Sequence, residues 1–138
     1  MTTTTSTPGV RPLRTLAVTG AVAVPVAVVV TTLAAAAAQA LGVDFELPDG
    51  GESIPLSGFA FITGVFSVVG VVLAVGLLRW SPRPAEHFVR VTGGLTAVSL
   101  VPPFLVGANA ATVVSLVVLH LVAAGVMIPS LARALGRR

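Results

Sequence analysis

The sequence predicts an all-α membrane protein, a bundle of four transmembrane helices with both termini in the cytoplasm. Three observations carry that expectation. The chain contains long stretches without a single charge, one stretch is too long for one helix, and arginines and acids fall on opposite sides of a four-span arrangement. With 55% hydrophobic and only 9% charged residues and a mean hydropathy of +1.02, the chain is far from the soluble balance of about 25% charged. Polar residues are too few to cover a soluble core of this size, whereas lipid is a solvent as apolar as these stretches.

Residues 1–14 form a Thr-rich, Pro-containing tail with too little apolar surface to repay ordering, and a disordered cytoplasmic segment is expected there. The membrane domain is expected over residues 15–133, followed by a basic cytoplasmic tail at 134–138. The first span is residues 16–41, uncharged throughout and long enough for a hydrocarbon core of roughly 30 Å. Residues 42–55 interrupt it with four acids and the turn signal Asp49-Gly50-Gly51. Val43, Phe45 and Leu47 alternate with Asp44 and Glu46, the period of a short strand, so a small hairpin-like outer loop is expected.

A second span covers 56–78 and ends at Arg79-Trp80-Ser81-Pro82-Arg83-Pro84, where two prolines and two arginines cannot continue a lipid-facing helix. Residues 91–132 are again uncharged, about twice what one crossing needs. Gly107-Ala108-Asn109 supplies the turn, because Gly and Asn tolerate the backbone angles of a tight helical hairpin. Spans three and four are then 88–106 and 110–131.

Orientation follows from charge, since Arg near span ends is retained on the cytoplasmic side. Arg11, Arg14, Arg79, Arg83, Arg90, Arg133, Arg137 and Arg138 all fall on one side of the four-span arrangement, and Asp44, Glu46, Asp49 and Glu52 fall on the other. Three or five spans would scatter them. A bacterial cytoplasmic membrane is the expected location, and the use of Arg without Lys in an Ala- and Val-rich chain suggests a high-GC bacterial genome. A competing reading takes Arg11 and Arg14, the following apolar run and Ala38-Gln39-Ala40 as a cleaved secretory signal. That run is longer than the usual signal core of roughly 7 to 15 residues, which favours a retained helix.

His120 is the one ionisable group placed deep in a span. About 10 residues at about 1.5 Å each from the turn before span four put it roughly 15 Å into the bilayer, near the midplane. Intramembrane ionisable residues are costly, which makes His120 a candidate for a ligand or proton role. A neutral imidazole that fixes helix packing by hydrogen-bonding a neighbouring helix is the plainer alternative. Thr31, Thr32, Ser67 and Ser99 fall at comparable depth, so with His120 they form a candidate midplane polar site. For each hydroxyl, a bond back to its own helix's carbonyl is the alternative. Pro25 and the Pro102-Pro103 pair remove backbone donors and should bend or unwind their helices. Gly70 with Ala74, and Gly93 with Ala97, have the small-xxx-small spacing that allows close helix contact.

Several chemistries are excluded. There is no Cys for disulfides, thiolate metal sites or thiol nucleophiles. The pI near 11.5 reflects eight arginines with no basic stripe on a soluble domain, so no nucleic-acid partner is expected. No Asp or Glu lies within a span, no second deep His offers a haem ligand pair, and the acidic loop does not match a calcium-binding EF-hand. Neither a Ser-His-Asp arrangement nor an HExxH helix appears. No cofactor and no catalytic residue are implied. Trp80, His87 and Phe88 are placed at the inner interface, where aromatic residues anchor helices at headgroup depth.

The turn LLRWSPRPAEHFVRV after span two, the Ser99 to Pro103 end of span three and the span-four segment LVVLHLVAAGVMIPSLAR resemble a family of small actinobacterial four-helix membrane proteins known as a domain of unknown function. The likeness covers about residues 16–133. It implies a topology without an activity. Three functional expectations stand side by side: a non-enzymatic accessory or structural envelope component, a binding bundle or transporter using His120 for a small molecule or lipid, and a quinone- or lipid-dependent membrane enzyme. The expected partners are the bilayer, a second copy of the chain or another membrane protein.

Overall fold

The computed structural model describes residues 10–48 and 52–136. Four helices in it are long and apolar enough to cross a membrane. They are α1 (Val10–Ala40), α2 (Leu56–Trp80), α3 (Pro84–Ser99) with its short continuation α4 (Pro102–Leu105), and α5 (Ala110–Gly136). Many of their exposed side chains are large and apolar, with Phe61 at 70%, Phe66 at 68% and Val98 at 69% accessible. A lipid-facing helix presents such a surface, and a water-facing one does not.

The helix bounds differ from the sequence expectation where helices extend past their apolar runs. Residues 10–14, expected in the disordered tail, form the first turns of α1, while residues 1–9 of that tail lie outside the described residues. Pro12 is tolerated there because the first four N–H groups of a helix have no intrahelical partner. Leu16, fully buried one turn later, docks this end. At the other terminus α5 continues past residue 131 into the expected basic tail, because Ala134 and Leu135 are buried in the core. Residues 137–138 lie outside the described residues.

The third crossing starts at Pro84, earlier than the expected residue 88. Proline suits the first helical position, and Glu86 pairs with Arg90 at 2.7 Å and Arg83 at 3.5 Å, so a charged first turn is accommodated. The same crossing breaks at Leu100 and Val101, immediately before Pro102 and Pro103, which cannot donate to the preceding carbonyls. By contrast α1 runs unbroken through Pro25.

α1 packs chiefly against α2 and α5, and α3 against α5 and α2, so α1 and α3 occupy diagonal corners of a four-helix ring. One core at the arginine-bearing end joins Leu16, Ala23, Ala27, Ala74, Phe88 and Met127 with the last turns of α5. A second, at the acidic end, gathers Ala35, Phe45, Phe59 and Leu119. Phe45 is held at a φ of 50°, a left-handed value costly for an aromatic residue. Its complete burial and edge-on contact with Phe59, 4.9 Å between ring centres, offset that cost.

The contact that sets the α1–α2 spacing involves a glycine that the small-residue pattern did not single out. A Cβ on Gly20 would lie 3.0 Å from Val71 Cγ2, and one on Gly64 would lie 3.6 Å from Val28 Cγ2. Of the expected small-residue pairs, Ala74 is fully buried, but a Cβ on Gly70 or Gly93 would meet nothing within 4 Å and Ala97 is exposed.

Candidate functional site

Among the described residues, no hydrogen bond joins any two of the five polar residues expected near mid-membrane. His120 is exposed on α5, and its Nδ1 lies 3.3 Å from the carbonyl oxygen of Leu116, one turn earlier on the same helix. Met127 and Leu131, seven and eleven residues further on and therefore on nearly the same helical stripe, are buried. The stripe is closed by packing at the arginine-bearing end and open at His120. α3 shows the same gradient, with Pro84 and Phe88 buried and none of 89–99 buried.

The hydroxyls divide into two groups. Ser99 donates to the Thr96 carbonyl at 2.8 Å, Thr92 to Phe88 at 2.6 Å and Ser130 to Val126 at 2.5 Å, each satisfied by its own helix. Thr31 and Thr32 are different, for their Oγ1 atoms are buried without a hydrogen-bond partner among the described residues. Ser67, 5% accessible, belongs to a different level of the bundle. The Gly20–Val71 and Val28–Gly64 contacts fix the antiparallel register of α1 and α2, placing Ser67 beside Val24 and Thr31 beside Ala60. Seven residues separate those levels, about 10 Å along the axis.

Polar groups do converge at the two ends of the bundle. At the acidic end Asp44 Oδ1 accepts hydrogen bonds from the Glu46 N–H, Asn109 Nδ2 and Thr112 Oγ1, each at 3.2 Å. Asn109 in turn caps α5, its Oδ1 accepting the Thr112 N–H at 2.8 Å. The Glu46 N–H foremost, then Asn109 and Thr112, hold the Asp44 carboxyl below the usual carboxylate range. Gly107, at a φ of 71°, makes the preceding turn. The connection between α1 and α2 carries one antiparallel bridge, Glu46 with Ser53, with Leu47 donating to Glu52 and Ile54 to Phe45. The expected Asp49-Gly50-Gly51 turn lies outside the described residues.

At the arginine-bearing end the α2–α3 turn is tied by Ser81, whose Oγ is 2.5 Å from His87 Nδ1 and accepts the Arg83 N–H at 3.2 Å. Together with the lower half of α2, this turn lines an open groove of about 500 Å³. Trp80 and His87 are expected at the interface from sequence, but the Ser81–His87 contact has no sequence signal because it depends on the turn containing Pro82 and Pro84.

No cluster of three or more His, Cys, Asp or Glu suited to a metal ion occurs among the described residues. Neither a curated protein nor a solved structure matches this chain. A family model does match over residues 11–137, so all four crossings lie within it, and this four-span membrane protein belongs to DUF6069, a family of unknown function.

Proposed function

We propose that this chain is a non-enzymatic accessory or structural component of a bacterial, actinobacterial-type cytoplasmic membrane, with both termini on the cytoplasmic side, and that the His120 face of α5 engages another membrane helix. The observation that carries the reading is the position of His120. An imidazole exposed at that depth is poorly solvated by lipid, and its hydrogen bond to Leu116 satisfies only one ring nitrogen. A neighbouring helix, from a second copy or another membrane protein, would supply the other partner, worth roughly 0.6 to 2 kcal/mol. The segregation of arginines from acids supports the orientation. The burial of Leu16, Ala23 and Ala27 supports a retained first helix. No nucleic-acid partner and no cofactor belong to this reading.

A second reading, a small-molecule-binding bundle, is favoured by the buried unpaired hydroxyls of Thr31 and Thr32. The test is a comparison of reconstituted wild type with His120→Leu and Thr31→Val, measuring oligomeric state by native mass spectrometry and thermal stability against lipids, quinones and small cations. The accessory reading expects His120→Leu to weaken association while leaving the isolated fold stable. A compound that stabilises wild type and loses its effect in Thr31→Val or His120→Leu would overturn it in favour of ligand binding.

A further inference from the structure

The groove at the arginine-bearing end is graded along the axis of α2. Its walls at one end are Val72, Leu73 and Leu77, and at the other the lining passes to Trp80, Ser81 and His87. From residue 72 to residue 80 the rise is about 12 Å, the distance from acyl-chain depth to headgroup depth. Gly76 keeps the floor low, since a Cβ there would lie 3.3 Å from Trp80 Cζ3 and displace the indole.

The polar end is held in place, and arginines flank it in the chain. Ser81 fixes the His87 ring through Nδ1 and accepts the Arg83 N–H, so both turn residues are tied before any ligand arrives. Arg79, Arg83 and Arg90 stand against a single acid, Glu86. Glu86 takes Arg83 and Arg90, and Arg79 has no acidic partner among the described residues. A cleft with apolar walls, an interfacial tryptophan and an imidazole, flanked in the chain by Arg79 immediately before Trp80, complements a molecule with a hydrocarbon tail and a negative head.

We propose that this groove is a binding site for an anionic phospholipid, its acyl chain lying along Val72, Leu73 and Leu77 and its phosphate met by Arg79 and His87. A zwitterionic lipid would fill the same apolar walls but gain less from the uncompensated arginine. One such arginine near the surface corresponds to about 1 kcal/mol, or roughly a fivefold preference.

Trp80 is the only tryptophan in the chain and lines the groove, so its fluorescence reports the site directly. The full chain is reconstituted in phosphatidylcholine bilayers containing a low mole fraction of dibrominated phosphatidylglycerol or dibrominated phosphatidylcholine, and quenching of Trp80 is compared. The expected result is a half-maximal effect at about fivefold lower mole fraction of the anionic quencher, with the preference lost in Arg79→Gln/His87→Ala and restored when Arg79→Lys replaces Arg79→Gln. Equal quenching of wild type by both lipids would overturn the proposal, leaving Trp80 as an ordinary lipid-exposed anchor. Persistence of the preference in a folded Arg79→Gln/His87→Ala protein would overturn the assignment of the phosphate to these residues.

Discussion

Asp44 and Thr112, 68 residues apart in the chain, meet at 3.2 Å where the connection after α1 crosses the start of α5. The contact explains why one acid of that loop differs from its neighbours. Thr112 is fully buried, so its hydroxyl needs a partner, and the Asp44 carboxylate supplies one while also holding Asn109, the cap of α5. Loop and helix start are thereby joined through one carboxylate.

This junction makes stability depend on pH. The folded state holds the Asp44 carboxyl below its ordinary value of 3.8, so its contribution is present above that value and is lost as pH falls through the lower folded value. Thermal unfolding from pH 7 down to pH 2.5 should show wild type more stable than Asp44→Asn at neutral pH, with the two converging in the acid range. Thr112→Val should lower the melting temperature at neutral pH and flatten the same acid transition.

The α1–α2 contact gives a packing test. Gly20→Leu would drive a large side chain into Val71 and should cost about 1 to 3 kcal/mol, with partial recovery in Gly20→Leu/Val71→Ala. Gly93→Ala, where nothing stands within 4 Å, should be neutral or stabilising by up to about 1 kcal/mol. Reversible unfolding in mixed micelles measures both.

Thr31 bears on the binding alternative. A buried hydroxyl without a partner carries a desolvation cost, and Thr31→Val removes it at nearly constant volume. The variant should be as stable as wild type or more so, by up to about 2 kcal/mol. A clear loss of stability would indicate that the hydroxyl is satisfied in the membrane by a group bound there.

Retention of α1 is checked by intact mass. Cleavage after Ala40 would remove Leu16, Ala23 and Ala27 and with them one wall of the core. Mass spectrometry of the membrane-extracted protein should find these residues still attached to the rest of the chain.

The crossings were legible because absence of charge over some 20 residues is a strong signal, and the turn at Gly107 and Asn109 because a left-handed glycine and a capping asparagine are local requirements. Residues 10–14 and 84–87 were missed as helix because charge and proline count against helix in a hydropathy reading, yet a first turn accepts both. The candidate site was less legible. Depth can be counted along one helix, but facing depends on how the helices pack. His120 shares a stripe with buried Met127 and Leu131, yet it is exposed where they are not. Asp44 likewise read as one acid in a solvated loop, because its partners are 65 and 68 residues away.

The most direct test of the account uses the natural absence of cysteine. Single nitroxide labels at His120→Cys and Thr31→Cys in reconstituted protein would be compared for relaxation by membrane-dissolved oxygen. Ready oxygen access at position 120 with protection at position 31 is the expected result, placing His120 on the bundle's outer surface and apart from the buried threonine. Equal protection of both positions would contradict it and return His120 to an enclosed polar site.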